Sequence, residues 1–289
     1  MIKNWYVTGD THGGMATITR VSNLQRNMPE QYKPEETGII ILGDAGLNFY
    51  LNNTDKKYKK MLNNMGFYIY CVRGNHEQRP ELIPSMIMVE DMEVDNTVYM
   101  EEEFPHIRYL VDGNIYQFND YRALVIGGAY SIDKEWRLLR AGYTLEDADI
   151  ADPKKCGWFK AEQLSYHERK EIGTKVLGEK VDFVFSHTCP YSWEPVDLFL
   201  NGIDQSKVDK SMEIWMDALK NCITWSVWCF GHFHADRLER PYVEQFYYEY
   251  EELDQIWARW DDYKHKDKLL DWWLPKSPVM EDIVNGQTS

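Results

Sequence analysis

The side chains of this sequence that are suited to chemistry follow short apolar runs. Asp10 and His12 lie two residues apart after one such run, and His232 and His234 repeat that spacing after another. In an extended chain, residues at this spacing point to the same face. Three further candidates each follow an apolar run within a few residues: Asp44, Asn75 and His187. Five segments of the chain therefore present carboxylate, amide or imidazole groups.

This combined set suits a pair of metal ions. Its seven members are too many for one tetrahedral zinc site. If two ions share a bridging Asp, each ion receives about four protein ligands plus solvent. Oxygen and imidazole ligands without thiolate are typical of Mn²⁺, Fe or Zn²⁺ sites. Such a centre attracts anions and activates water near neutral pH. The alternative is a set of unrelated polar residues at strand ends.

The elements that position these residues are short apolar runs that end in glycine or polar residues, which indicates buried strands. The predicted strands cover residues 5–7, 39–42, 67–72, 124–126, 183–185 and 227–230. Helical periodicity appears between them, over residues 18–28 and 208–219. Strands that alternate with helices predict an α/β domain. In open α/β sheets, ligands bind at the carboxyl ends of the strands, where these side chains fall.

Two segments depart from this alternation. Asp112-Gly113 lies between the apolar flanks of residues 109–118, which predicts a hairpin and therefore a mixed sheet. Residues 90–103 contain seven acidic and no basic residues. We interpret this segment as a solvated loop or helix, with a cation site as the alternative.

No repeat or Gly/Ser/Pro linker divides the chain. We therefore expect one catalytic domain over residues 1–240 and a strand and helix extension over residues 241–289 that packs on it. In the extension, five apolar residues share one helical face: Leu253, Ile256, Trp257, Trp260 and Tyr263. This face predicts a helix docked on the body of the protein. A dimer surface or a wall of the substrate cleft is the alternative.

Composition excludes several classes of function. The 289 residues include 47 Asp and Glu against 32 Lys and Arg, which gives a formal charge of −15. This charge disfavours binding to long duplex nucleic acid or to an anionic membrane. No apolar stretch approaches the ~18 residues of a membrane span, and the first residues do not resemble a signal peptide. Five cysteines without a CxxC pair are typical of a reducing compartment, so we expect a cytoplasmic protein.

Five sequence blocks together resemble the calcineurin-like metallophosphoesterase superfamily. They occur in the order Asp10-x-His12, Gly43-Asp44, Gly74-Asn75-His76-Glu77, His187 and Gly231-His232-Phe233-His234. The resemblance implies a fold of two facing mixed β-sheets flanked by helices. The metal site would lie at one edge of the sheets, at the carboxyl ends of strands.

The resemblance also implies a role for each of these residues. The first metal ion would be bound by Asp10, His12 and His234, and the second by Asn75, His187 and His232. Asp44 would bridge the two ions. His76 resembles the catalytic histidine of the family, which donates a hydrogen bond or a proton to the phosphate or the leaving group.

The block around Arg73, Arg-Gly-Asn-His-Glu, matches the Ser/Thr protein phosphatase branch, where the arginine binds the substrate's phosphate. A surface ion pair is the alternative for Arg73. The sequence departs from that branch in residues 43–49, which lack its second Asp and its Arg. Asn48 or Glu77 is a candidate to replace the carboxylate that orients the histidine.

Residues 127–137 are similar instead to the small bacterial and phage-type branch of the superfamily. In this segment and just after it, Arg137 and Arg140 are candidates for substrate contact, with solvated surface as the alternative for both.

The function implied is a phosphoesterase with two divalent metal ions, Mn²⁺ being preferred over Fe, Zn or Ni. A metal-bridging hydroxide would hydrolyse a phosphomonoester or small phosphodiester with help from His76. The expected partner is a small phosphorylated substrate. One alternative is a nucleotide phosphodiesterase or a nuclease acting on single-stranded or short substrates. The other is an inactive scaffold of the same fold.

Overall fold

The apolar runs of the sequence form the inner strands of two mixed β-sheets. The computed structural model describes residues 1–240 and 242–266. In spatial order, with strands numbered along the chain, the first sheet contains β13 (Tyr250–Glu252), β1 (Asn4–Thr8), β2 (Thr37–Ile41), β3 (Tyr68–Cys71), β6 (Ile107–Leu110), β5 (Asn96–Glu101) and β4 (Met86–Asp91). The second contains β11 (Arg237–Arg240), β12 (Val243–Gln245), β10 (Val227–Phe230), β9 (Phe183–Ser186), β8 (Tyr121–Ile126) and β7 (Ile115–Phe118).

Seven α-helices flank these sheets within the described residues. They are α1 (Gly14–Asn27), α2 (Asn53–Asn63), α3 (Lys134–Arg140), α4 (Pro153–Cys156), α5 (Tyr166–Val176), α6 (Ser211–Leu219) and α7 (Leu253–Lys266). None of the helices over this part of the chain has the length and hydrophobicity needed to cross a bilayer. The predicted fold of two facing mixed sheets flanked by helices is confirmed.

All six predicted strands are present, and they occupy the centres of the sheets. Strands β1, β2 and β3 are parallel neighbours in the first sheet. Strands β8, β9 and β10 are parallel neighbours in the second. Because parallel strands end at the same edge of a sheet, the residues that follow them are brought together.

An apolar layer between the sheets holds them face to face. Phe118 is fully buried in it, with its ring 4.8 Å from the ring of Trp5 and 5.7 Å from that of Phe185. The outer faces are covered by helices: α1 and α2 pack on the first sheet, and α5 and α6 on the second. The strand ends therefore project from a core that is packed on both sides.

The predicted hairpin at Asp112-Gly113 is wrong, although the sheets are mixed as expected. Strand β6 belongs to the first sheet and β7 to the second, so this turn carries the chain from one sheet to the other. The Asp112 carboxylate binds two other segments instead of closing a hairpin. It accepts hydrogen bonds from Arg73 Nε at 2.9 Å and from the backbone N–H of Gly127 at 2.5 Å.

The prediction of a solvated loop or helix over residues 90–103 is also wrong, because the segment lies in the antiparallel pair β4–β5. Its apolar residues Val94 and Val98 are fully buried in the core between the sheets. Two of its acids bind internal partners: Asp91 accepts from the Tyr70 hydroxyl at 2.9 Å, and Glu101 pairs with Lys59. Buried valines and internal hydrogen bonds outweigh the charge that suggested solvent.

The predicted C-terminal helix is present as α7. Leu253 and Ile256 are buried in the layer between the sheets, and Trp257 and Trp260 pack against that layer. Strand β12 joins the second sheet and β13 joins the first. Residues 267–289 of the expected extension lie outside the described residues.

We expect Phe118→Ala to lower the free energy of unfolding by about 3–5 kcal/mol, because it leaves a cavity at the centre of the apolar layer. Chemical denaturation monitored by circular dichroism measures this change. Met92→Ala is the control, since that side chain is 87% exposed and its loss should change stability by less than about 0.5 kcal/mol. Equal effects of the two substitutions would contradict the packing described.

Candidate metal centre

The strand ends deliver the predicted side chains to one place. Asp10 and His12 follow β1, Asp44 follows β2, and Asn75 and His76 follow β3 in the first sheet. In the second sheet, His187 directly follows β9, and His232 and His234 follow β10. The edges of the two facing sheets thus contribute to a single cluster.

One donor group consists of Asp10, His12 and His234. Asp10 Oδ2 lies 3.5 Å from His12 Nε2 and 3.6 Å from His234 Nε2, and the two nitrogens are 2.6 Å apart. Ligands at ~2.1 Å from a shared ion lie about 3.0–3.5 Å from one another. The separations from Asp10 fit that spacing, and the group of three meets the geometric requirement for a metal site.

A second donor group contains Asp44, His187 and Asn75. His187 Nε2 lies 3.7 Å from Asp44 Oδ2 and 2.7 Å from Asn75 Oδ1. The other ring nitrogen, Nδ1, lies 2.8 Å from the carbonyl oxygen of Leu42, to which it can donate its proton. A backbone partner of this kind fixes the tautomer of a metal-binding histidine and leaves Nε2 with a free lone pair.

The contacts of the cluster call for additional positive charge. With the proton of His187 on Nδ1, its Nε2 and Asn75 Oδ1 are two acceptors 2.7 Å apart, and a cation shared between them would satisfy both. The Oδ2 atoms of Asp10 and Asp44 are buried and have no hydrogen-bond partner. Orphaned carboxylate oxygens surrounded by imidazoles fit divalent cations.

Both carboxylates are held in the ionised form. Burial raises the pKa of Asp44, but the neighbouring charges of His187, His76 and His12 outweigh it and set the pKa well below its usual range. Asp10 behaves in the same way: burial opposes ionisation, and His187 and His12 favour it strongly enough to lower the pKa. The two carboxylates are therefore available to a cation in their ionised form, whereas a protonated imidazole beside them has to release its proton when it binds a metal.

Backbone N–H groups orient the two carboxylates. The N–H of His76 donates to Asp44 Oδ1 at 2.8 Å, and that of His232 donates to Asp10 Oδ1 at 2.9 Å. The glycines of these blocks allow the approach, because a Cβ at Gly74 would overlap Asp44 Oδ1 and one at Gly231 would overlap Asp10 Oδ1. Each carboxylate thus keeps Oδ2 for the site.

Backbone strain is concentrated at the same residues. Among the described residues, seven other than glycine have positive φ, and four of these are candidate ligands: His12 (47°), Asp44 (47°), His232 (68°) and His234 (55°). Such conformations cost of order 1–3 kcal/mol each and cluster at functional sites. The fold therefore holds these side chains in positions that a relaxed chain avoids.

His76 and His232 occupy different positions relative to the donor groups. A ring nitrogen of His76 lies within 4.8 Å of donor atoms of both His12 and Asp44. Burial lowers the pKa of His76, and its Nδ1 is buried without a partner. The structure does not bring His232 into any donor group found among the described residues, but its ring lies 5.1 Å from that of His187. Burial lowers the pKa of His232 to about 3, so its ring is neutral, which is the form that binds metals.

The structure does not bring Arg73 into the cluster. Its side chain is buried, and its Nε binds Asp112 at 2.9 Å. Nη1 donates to the carbonyl oxygen of Glu162 at 2.7 Å, and Nη2 to that of Gly127 at 2.9 Å. Each guanidinium nitrogen already binds a protein oxygen, so these contacts do not support a phosphate-binding role. They also differ from a surface ion pair.

Arg137 lies nearer the cluster. Its Nε binds Asp133 at 2.7 Å and its Nη1 binds the carbonyl oxygen of Gly157 at 2.9 Å. Its charge disfavours protonation of both His12 and His76, although Asp10 and Asp44 outweigh it at His12 and raise the pKa of that ring. Arg140, in contrast, stacks on Trp136 at 5.2 Å, and that ring is 57% exposed.

The two residues considered for orienting His76 have other contacts. Glu77 Oε1 accepts a hydrogen bond from the backbone N–H of Gly74 at 2.8 Å, and burial, followed by the charge of Asp44, raises the pKa of Glu77 to about 8. The Asn48 amide is buried without a hydrogen-bond partner. Neither is bonded to the histidine ring. The carboxylates whose charges act on His76 are Asp44 and Asp133.

Sequence reasoning missed Arg20, whose guanidinium binds the backbone next to the first donor group. Its Nη1 donates to the carbonyl oxygens of Gly9 at 3.2 Å and Asp10 at 3.1 Å, and also to that of Tyr247. The ring of Tyr247 in turn stacks on His234 at 4.9 Å. An available signal was the position of Arg20 beside Val21 on the apolar face of α1, where a charged residue is unusual.

Comparison with known families gives one match. The sequence model of the calcineurin-like phosphoesterase family matches residues 5–236, which includes every candidate ligand. No curated protein matches the chain significantly.

We expect Mn²⁺ to raise the melting temperature of the protein, because the ion binds a site that exists only in the folded chain. An ion whose free concentration is 100 times its Kd adds about 2.7 kcal/mol to the free energy of unfolding. Scanning calorimetry with and without Mn²⁺ measures the shift. Asp44→Asn should remove most of it, whereas His167→Ala should retain it, since His167 is exposed and outside the cluster. A wild-type melting temperature unaffected by Mn²⁺ would speak against a metal centre.

Proposed function

Because this chain belongs to the calcineurin-like phosphoesterase family, whose members are generally metal-dependent hydrolases, we propose that it hydrolyses a phosphomonoester or a small phosphodiester with two divalent ions. One observation carries the proposal. The buried, unpartnered Oδ2 atoms of Asp10 and Asp44 each face imidazole nitrogens, in two adjacent donor groups.

The residues that would hold the ions divide between these groups. Asp10, His12 and His234 would bind the first ion, Asn75, His187 and His232 the second, and Asp44 would lie between them. When bound, the ions would supply a nucleophilic water at neutral pH and positive charge for the phosphoryl oxygens. We propose Mn²⁺, with Fe, Zn or Ni as alternatives, because the ligands are oxygen and imidazole without thiolate.

Two of the chain's own residues, His76 and Arg137, would bind and orient the substrate's phosphate. The hydrogen bond from the backbone N–H of His76 to Asp44 places the His76 ring beside the site. Burial in a low-dielectric surrounding strengthens any hydrogen bond that the ring donates to the phosphate or the leaving group. Arg137, whose Nε and Nη1 are fixed by protein oxygens, would present its charge to the phosphoryl oxygens.

The substrate is expected to be small. A formal charge of −15 disfavours long duplex nucleic acids but not a phosphorylated small molecule that binds at a cationic centre. A nucleotide phosphodiesterase, or a nuclease acting on short single strands, is the second candidate. The stack of Tyr247 on His234, next to the 67% exposed Tyr248, favours it, since aromatic rings stack on bases. The presence of all seven candidate ligands and His76 argues against an inactive scaffold.

We also propose that residues 1–240 form the catalytic domain and residues 241–289 an extension packed on it. The pairing of β13 with β1 and the burial of Leu253 support the packing of the extension on the rest of the chain. A cytoplasmic location is proposed because all five cysteines are free and buried, as is usual in a reducing compartment.

We expect His76→Ala to lower kcat by about 10²–10⁴-fold while the protein keeps its bound Mn²⁺, because His76 assists the reaction without being required as a ligand. Hydrolysis of p-nitrophenyl phosphate and of its bis ester, measured beside metal analysis, tests this. His167→Ala is the control and should be fully active. The proposed function fails if wild-type protein with two bound Mn²⁺ hydrolyses neither ester.

We expect Arg137→Ala to lower kcat/KM for the cleaved ester by about 10–100-fold, which corresponds to the ~1.5–3 kcal/mol of a charged hydrogen bond. Arg140→Ala is the matched control from the same helix and should leave kcat/KM unchanged. Steady-state kinetics on the metal-loaded variants provides the measurement. Equal losses in both variants would contradict a specific role for Arg137.

A further inference from the structure

His234 is held in its donor group neither by burial nor by a hydrogen bond to its second ring nitrogen. Its side chain is 48% exposed, whereas that of His187 is fully buried. His187 Nδ1 bonds to the carbonyl oxygen of Leu42, but no residue in the described part of the chain forms a hydrogen bond with Nδ1 of His234. In metal-binding histidines such a bond normally fixes the orientation of the ring. Another contact therefore has to orient His234.

The ring of Tyr247 provides that contact. Its centroid lies 4.9 Å from that of His234, and the two planes are inclined by 23°, which is a stacked arrangement. The ring of His12 meets His234 edge to face, with the centroids 4.5 Å apart. Both arrangements are favourable for aromatic rings. Tyr247 thus fixes the plane of the imidazole, and with it the direction of His234 Nε2, which lies 3.6 Å from Asp10 Oδ2.

Asp236 fixes the backbone that carries Tyr247. This backbone forms the turn of residues 246–249, which connects β12 to β13. Asp236 Oδ1 accepts hydrogen bonds from the N–H groups of Tyr247 at 2.7 Å and Glu249 at 3.0 Å, and Oδ2 accepts from that of Tyr248 at 2.9 Å. Because Asp236 follows His234 by two residues, one short segment carries both the candidate ligand and the group that holds the stacking ring.

The 246–249 turn also lies against the strand end that carries Asp10. Arg20 Nη1 donates to the carbonyl oxygens of both Asp10 and Tyr247. A Cβ at Gly9 would overlap the carbonyl oxygen of Phe246, so the two backbones are in direct contact. The turn is therefore tied to Asp10 by the Arg20 guanidinium and by close backbone packing. The Tyr247 ring is thereby fixed relative to the whole first donor group.

We propose that Tyr247 is a positioning residue for the first ion: its ring, held in place by Asp236 and Arg20, orients His234 by stacking. Stacking thus replaces the hydrogen bond that orients other metal-binding histidines. This inference rests on the first ion of the proposed centre and does not require the second. It also gives the segment after residue 240 a part in the metal centre, because Tyr247 belongs to that segment.

The test measures the affinity of each ion. Isothermal titration with Mn²⁺ gives the Kd values, and reference titrations of His234→Ala and Asn75→Ala show which value belongs to the first ion and which to the second. We expect Tyr247→Ala to weaken the first site by about 10–100-fold, as loss of a residue that supports a metal ligand does. The second site should keep its wild-type Kd. Tyr247→Phe retains the stacking ring and should bind both ions with wild-type affinity.

The matched control is Tyr248→Ala, which makes the same change one residue farther along the same turn. Tyr248 is 67% exposed, and its ring lies over the guanidinium of Arg20 at 5.0 Å rather than on a candidate ligand. We expect this variant to bind both ions with wild-type affinity. Thermal melting without metal checks that every variant folds. If Tyr247→Ala does not fold, Tyr247→Leu replaces it and should weaken the same site, because it keeps apolar bulk without a flat ring.

Three outcomes would overturn the inference: wild-type affinity at both sites in folded Tyr247→Ala, equal weakening of both sites, or an equal effect of Tyr248→Ala. Wild-type protein that binds one Mn²⁺, with that ion weakened by Tyr247→Ala, would refute the two-ion centre and support the positioning role. Wild-type protein that binds no Mn²⁺ would refute both.

Discussion

Two buried carboxylates placed side by side constrain the structure around the site. Asp10 and Asp44 are 0% and 1% exposed, and an ionised carboxylate in such surroundings costs several kcal/mol unless charge and hydrogen bonds compensate. One oxygen of each carboxylate is satisfied by a backbone N–H group. The other oxygen faces imidazoles and fits a cation. Ion binding and folding stability are therefore coupled at this point of the molecule.

The sheets place these carboxylates together by register. Strands β1 and β2 pair Thr8 with Ile41. Asp10 follows Thr8 by two residues and Asp44 follows Ile41 by three, so both lie just beyond the same edge of the sheet. The turns after the strands then adopt left-handed conformations at four candidate ligands. A layer packed on both faces resists relaxation of that strain. The apolar core thus contributes to the site's geometry without contacting the ions.

The sequence predicted what depends on local pattern and missed what depends on distant partners. Strand ends followed by Asp or His were sufficient to locate the cluster, because apolar runs in an α/β chain form the parallel centre of each sheet. At Asp112-Gly113, however, the local turn signal was overridden by hydrogen bonds to Arg73 and Gly127, far away in sequence. The acidic segment 90–103 formed strands because Val94 and Val98 are buried. Left-handed φ at His12 has no sequence signal of its own.

Residues 43–49 lack the second Asp and the Arg of the Ser/Thr protein phosphatase branch, and residues 131–137 contact the site instead. Leu47 is buried in an apolar cluster, the side-chain amide of Asn48 has no hydrogen-bond partner, and Asp44 is the residue of this loop that takes part in the donor groups. Besides Asp44 and His12, the charges that act on His76 are those of Asp133 and Arg137, which bind each other one turn apart. Ser131, in the same segment, binds Asn75. Residues 131–137, which follow a strand of the second sheet, therefore place Ser131 against Asn75 and the charges of Asp133 and Arg137 near His76. The sequence next to Asn75 and His76 gives no sign of these contacts.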